Sequence, residues 1–143
     1  MTFKEKVYQQ YLQLVIDKII SLESILNELN ESAKNETKST AGDKHETALA
    51  MLQIEQENTR KKLAEAFEQK TQLERIDIHK KSDSIIKGSL IKTDKGYFFL
   101  SLGLGKIIIE ETTITALSIQ SPLGTQLIGL KIQQSAAINN VQY

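Results

Sequence analysis

Apolar residues in the first part of the chain recur at alternating steps of four and three: Tyr8, Leu12, Val15, Ile19, Leu22, Leu26 and Leu29. That spacing is a heptad seam along one side of a helix. Leu14, Ile16, Ile20 and Ile25 widen the stripe. A seam this regular calls for a partner helix, and the nearest is the next segment folded back. There Leu49, Leu52, Leu63, Ala66 and Leu73 fall near the same spacing, while Gln56 and Thr59 stand where the seam wants aliphatics. The pattern predicts an antiparallel coiled-coil hairpin over residues 1–80. Its helices span about 3–34 and 43–80, with a tip loop at 35–42. A polar centre in such a seam fixes register at a cost in stability. The connecting text NESAKNETKSTAGD has no apolar residue larger than alanine, and it is rich in turn formers. Arms of about 30 residues at about 1.5 Å per residue give a hairpin of roughly 45 Å.

Near residue 82 the period changes. One glycine and no proline precede that point; six glycines and the single proline follow it. GSLIKTD and KGYFFLSLG alternate as strands do, with Asp94-Lys95-Gly96 as the turn between them. KIIIEE and ITALSIQ read as two more strands. SPLGTQLIGLK starts like a helix, with Ser121 as N-cap and Pro122 in the first helical position. AINNVQY reads as a last strand. The fold class expected is therefore α+β, with residues 84–143 forming a small β-rich domain. A core of that size is marginal alone, so contact with the base of the hairpin would help it.

Composition narrows the chemistry. Lys plus Arg equals Asp plus Glu, so nothing drives non-specific binding to nucleic acid or to an acidic membrane. No cysteine is present, which excludes disulfides, thiolate metal sites and cysteine nucleophiles and fits a reduced cytoplasmic setting. The N-terminal text is charged and amphipathic rather than signal-like, and no run approaches the ~20 apolar residues of a membrane span.

Two carboxylates stand out in STAGDKHETALAM: Asp43 and Glu46. As helix-start chemistry, Asp43 caps the second helix and Glu46, three residues on, reaches back to it. The same i, i+3 spacing also lets two carboxylates share a Mg²⁺ ion whose shell is completed by water, phosphate or a partner. The sequence leaves both open. His45 lies round the helix from the acids, and His79 suits a helix end or solvent. Arg60-Lys61-Lys62 reads as a solvated face. GLGK at 103–106 lacks the spacing of a phosphate loop. Ser101, Ser118 and Ser121 have no histidine within the same half of the chain. A self-contained catalytic site is not expected.

A helical hairpin followed by a small β-rich domain ending ALSIQSPLGTQLIGLK resembles the bacterial Gre-type transcript-cleavage factors. Ser118, Ser121-Pro122-Leu123-Gly124, Leu127, Gly129 and Lys131 carry the most specific part of the likeness, with GSLIKT at 88–93 and the tip text GDKHE. The resemblance implies an FKBP-like antiparallel β domain with one helix. It implies docking on RNA polymerase through Gln120, Ser121, Pro122, Leu123 and Gly124. It also implies that the coiled coil enters the secondary channel, near the RNA 3′ end. There Asp43 and Glu46 would share a Mg²⁺ ion with the polymerase active site and assist cleavage of backtracked RNA, with polymerase as the enzyme and no cofactor held tightly by this chain. The tip departs from the family's usual text: Lys44-His45 replace Leu-Ser, and Thr47-Ala48-Leu49-Ala50 replace Asn-Ala-Glu-Tyr. A second expectation is thus a secondary-channel regulator that does not cleave. A third, from the FKBP-like fold, is a prolyl isomerase or chaperone. A dimerising coiled-coil protein is a fourth, although the polar linker favours an internal hairpin and a monomer.

Overall fold

The computed structural model describes residues 1–37, 42–131, 137–138 and 141–142, with side chains over 1–35 and 46–131. The class is α+β. Two long helices, α1 (Phe3–Thr37) and α2 (Gly42–Glu74), precede strands β1 (Leu90–Thr93), β2 (Gly96–Ser101), β3 (Gly105–Ile109) and β4 (Thr112–Ser118). A short helix α3 (Pro122–Leu127) and two short strands, β5 (Ala137–Ile138) and β6 (Val141–Gln142), follow. The chain forms two compact units: Leu14–Lys70, and Met1–Gln13 together with Thr71–Tyr143. Among the described residues no helix is long and apolar enough to cross a membrane.

In the helical unit, the less exposed positions of α2 include Leu49, Leu52, Gln56, Thr59, Leu63, Ala66 and Lys70, at alternating steps of three and four, with Ala48 and Gln69 beside them. Those of α1 include Val15, Ile19, Leu22, Leu26 and Leu29. Gln56 Nε2 donates to Asn30 Oδ1 at 2.8 Å, and Lys18 Nζ donates to Gln69 Oε1 at 3.2 Å. A later residue of α2 thus meets an earlier residue of α1, so the helices run in opposite directions. The two polar seam residues are buried with the rest, Gln56 and Thr59 being 9% and 8% exposed.

Helix α1 was expected over about 3–34 and extends to Thr37. It starts on Thr2, whose Oγ1 accepts the Glu5 N–H at 3.2 Å, as an N-cap does. Helix α2, expected to reach residue 80, ends at Glu74. Beyond it the Asp77 carboxylate accepts the His79 N–H at 3.0 Å, a local bond that competes with the helical ladder. The chain turns there so that Ile78 is buried. Of the expected tip loop, residues 38–41 lie outside the described residues.

In the other unit the sheet order is β1-β2-β4-β3. It is mixed, not wholly antiparallel as expected: β1–β2 and β3–β4 are antiparallel, but β2 and β4 run parallel, with Phe99 opposite Ala116. The burial pattern explains the order. β2 is buried at four consecutive positions, Phe98 to Ser101, which suits a central strand covered on both faces. β3 exposes Lys106 and Ile108 and takes an edge, where a lysine discourages further pairing. The C-terminal text, read as one strand, forms the β5–β6 pair.

Side chains alternate across the strands. Phe98 and Leu100 turn to one face and cluster with Leu127 of α3, backed by Ile85, Ile91, Leu117, Leu123 and Leu130. Phe99 turns to the other, where the Tyr11 ring stacks on it at 5.9 Å. The Tyr11 hydroxyl lies 2.7 Å from the Gly105 carbonyl and 3.0 Å from the Ile114 carbonyl. Val7, Leu73, Ile114 and Ala116 are buried in the same unit. Tyr8 donates to the Leu73 carbonyl at 2.8 Å, Phe3 packs on Tyr97, and Lys6 pairs with Glu110. The first thirteen residues of the chain therefore belong to the β unit, with Val7 and Tyr11 in its core.

Burial disfavours the phenolate of Tyr11 and pushes its pKa from 10.0 up to about 12. The folded chain then holds a proton that the unfolded chain releases. Stability from this group is complete below pH 10 and is lost as pH rises towards 12. Tyr11→Phe should lower unfolding free energy at neutral pH by about 1–2 kcal/mol and flatten its decline in that alkaline window. Urea titrations of both proteins at pH 7 and through the window measure this. Equal alkaline slopes would contradict it.

The β3–β4 connection is a two-residue turn in which Glu110 (φ 51°) and Glu111 (φ 65°) both adopt left-handed conformations. Such positions favour Asn and Gly and cost a side-chain-bearing residue about 1 kcal/mol or more. Glu111→Gly should raise stability by about 1 kcal/mol, which thermal melting monitored by circular dichroism would detect.

Candidate functional site

Two groups of residues carry the functional expectations, and they lie in different units. The first is the acidic pair. Helix α2 starts at Gly42, one residue before the expected start. Asp43 therefore falls inside its first turn rather than at the cap. The side chains of Asp43, Lys44 and His45 lie outside the described residues; Glu46 is described and exposed. In a helix, positions 43 and 46 are one turn apart on the same side, and the positive end of the helix dipole favours carboxylates there. Such a pair offers oxygen donors to a hard cation but falls short of a full shell, so Mg²⁺ would need further oxygen ligands from water and a partner. Among the described residues no group of three or more His, Asp or Glu side chains is placed to hold a metal.

The second group is the turn entering α3. Ser121 is the N-cap: its Oγ accepts the Gly124 N–H at 3.0 Å and donates to the Ser118 carbonyl at 2.7 Å. Pro122 occupies the first turn, where a missing N–H costs nothing. Ser118 Oγ accepts the Gln120 N–H at 3.1 Å. Gly124 is buried, and a Cβ there would lie 2.0 Å from the Ser118 carbonyl oxygen. Leu123 packs on the Phe98–Leu100–Leu127 cluster.

The five residues expected at a docking surface therefore divide. Ser121, Leu123 and Gly124 hold the turn's shape. Gln120 and Pro122 are exposed and free to meet a partner. Ile128, the C-cap of α3 and outside the five expected residues, is an apolar side chain 38% exposed. Its signal was the continuing text QLIGLK, in which Leu127 turns inward and Ile128 outward.

The remaining candidates separate clearly. Arg60, Lys61 and Lys62 are exposed. His79 is exposed and engages Asp77 through its backbone. Tyr97 and Phe99 face Phe3 and Tyr11, whereas Phe98 joins the opposite cluster, so the three aromatics line no common surface.

Compared with known protein families, with characterised proteins and with solved structures, the chain gives no match in any of the three.

Gly124→Ala should destabilise the protein by about 1–3 kcal/mol, because the Ser118–Gly124 turn must open to admit the methyl group. Gln120→Ala and Pro122→Ala should stay within about 0.5 kcal/mol of the parent. Chemical denaturation of the three variants checks the division between shape and surface.

Proposed function

We propose that this protein is a cytoplasmic, monomeric, RNA polymerase-binding transcription elongation factor of Gre type. In this reading α1 and α2 form an antiparallel coiled coil that enters the polymerase secondary channel, and the β-rich unit is FKBP-like and docks outside it. Gln120 and Pro122, displayed on a turn made rigid by Ser121 and Gly124, meet the polymerase surface. Asp43 and Glu46 act at the leading end.

The observation that carries the reading is the start of α2 at Gly42. It puts both acids in the opening turns of a helix, directly after the segment that joins it to its antiparallel partner. The seam spacing and the opposed direction of the helices support the coiled coil. A Mg²⁺ ion shared with polymerase would supply Lewis-acid activation of the attacked phosphodiester and of the attacking water. The chain's own part is to bring two carboxylate oxygens to that ion and to hold them there on a helix. The polymerase remains the enzyme; this chain stimulates its hydrolytic activity on backtracked RNA.

A second reading keeps the docking and removes the cleavage. Lys44 stands between the two acids in sequence, and its positive charge would oppose binding of a second cation. The protein would then occupy the channel and modulate initiation, pausing or substrate entry.

In stalled transcription complexes, Asp43→Ala or Glu46→Ala should lower the rate of RNA cleavage on the order of 100-fold, with binding to core polymerase retained. Cleavage measured over a Mg²⁺ series separates the readings. A parent protein that binds polymerase but leaves RNA intact at every concentration is the non-cleaving regulator, and equal cleavage by parent and both variants removes the acids from the mechanism.

A further inference from the structure

Between Glu74, where α2 ends, and Leu90, where β1 begins, the chain forms no helix or strand. Five consecutive residues of this connection are exposed: His79, Lys80, Lys81, Ser82 and Asp83. Their hydrogen bonds are local. The His79 N–H donates to the Asp77 carboxylate at 3.0 Å, the Lys80 N–H to the Asp77 carbonyl at 3.4 Å, and Ser82 Oγ accepts the Ser84 N–H at 3.2 Å. On either side the chain is held. Ile78 is buried. The Ile85 N–H donates to the Leu130 carbonyl and the Ile85 carbonyl accepts the Gly129 N–H, both at 2.8 Å. An exposed segment with few bonds, strung between fixed ends, is where proteases nick folded chains. Two adjacent lysines there suit an enzyme that cuts after basic residues. Lys87 lies in the same connection, but its neighbours Ile86 and Gly88 donate to Ser89 Oγ and the Leu100 carbonyl.

We propose that Lys80-Lys81 is a cleavage site for a lysine-directed protease, and that the cut protein persists as a two-chain complex. Water adds across the peptide bond after Lys80 or Lys81, leaving a carboxylate on that lysine and an ammonium group on the residue that follows. The contacts that cross the cut hold the pieces together. The C-terminal piece carries the whole sheet, and the N-terminal piece carries α1 and α2. Phe3 packs on Tyr97, the Tyr11 ring stacks on Phe99, and the Tyr11 hydroxyl meets the Gly105 and Ile114 carbonyls. Lys6 pairs with Glu110. Nearer the cut, Ile76 packs so closely on Gly88 that a Cβ there would lie 2.8 Å from its Cγ2. None of these contacts uses the severed bond. Phe3, Val7 and Tyr11 fall at steps of four on one face of α1, so the start of α1 stays in the β unit as a bound helix. Separating the pieces would return Tyr11, Phe99, Ile114 and Ala116 to water, which the hydrophobic effect opposes. The proposal is independent of the polymerase reading.

The test is brief digestion of the full-length protein with a lysyl endoprotease, followed by mass spectrometry and size-exclusion chromatography. The earliest cut should fall after Lys80 or Lys81 and should be absent from Lys80→Gln/Lys81→Gln. The two pieces should elute together, at the position of the uncut protein. Thermal melting of the cut protein should depend on its concentration, unlike that of the uncut chain, because unfolding then also separates two chains. Tyr11→Phe keeps the ring and loses the hydroxyl; once cut, it should dissociate about tenfold more readily than the cut parent. An earliest cut elsewhere, pieces that elute apart, or a melt of the cut protein that ignores concentration would overturn the proposal.

Discussion

A phenol buried against the sheet ties together parts of the chain about a hundred residues apart in sequence. Tyr11 stacks on Phe99 of the central strand and directs its hydroxyl to the carbonyls of Gly105 and Ile114. One side chain thus contacts β2, β3 and β4, holding the edge strand to the centre. Without this segment of α1 one face of the sheet would be open to water, exposing Phe99, Ile114 and Ala116, which are now at most 3% exposed. The opposite face is closed by α3 and the segments flanking it. A four-stranded sheet of this size is marginal alone, and the β unit is discontinuous. It borrows the first thirteen residues of the chain and the end of α2.

Rigidity is concentrated where the chain reverses. At the β3–β4 turn two glutamates accept left-handed backbone conformations, and Glu110 pairs with Lys6 at the start of α1. At the start of α3, Ser118, Ser121 and Gly124 form a closed set of hydrogen bonds around a glycine with no room for a methyl group. That closure fixes the directions in which Gln120 and Pro122 project. Residues that seemed alike as a sequence motif therefore do different work, some shaping the turn and others forming its surface.

Much of the candidate chemistry was legible in the chain, though unevenly. The Ser-Pro pair announced an N-cap and a first helical residue because both signals are local: a hydroxyl beside free N–H groups, and a residue with none to offer. The division of that motif into framework and surface was not legible. It depends on the distance from Gly124 to a carbonyl six residues earlier, which only the folded turn sets. The acidic pair was visible from spacing alone. Its place in the helix differs from expectation by one residue, which is the breadth over which a helix end is defined.

The sequence by itself determined the α+β class, the two long helices, the strand positions and the seam with its polar centre. Each follows from periodicity, which neighbouring residues carry between them. Tertiary structure decided that α2 stops at Glu74, that β4 inserts beside β2 in parallel, and that Tyr11 belongs to the sheet's core. These outcomes turn on which distant apolar surfaces cover one another. Tyr8 belongs to the seam pattern and Tyr11 does not, yet Tyr11 is the one buried against Phe99; no local signal records which partner a helix face will meet.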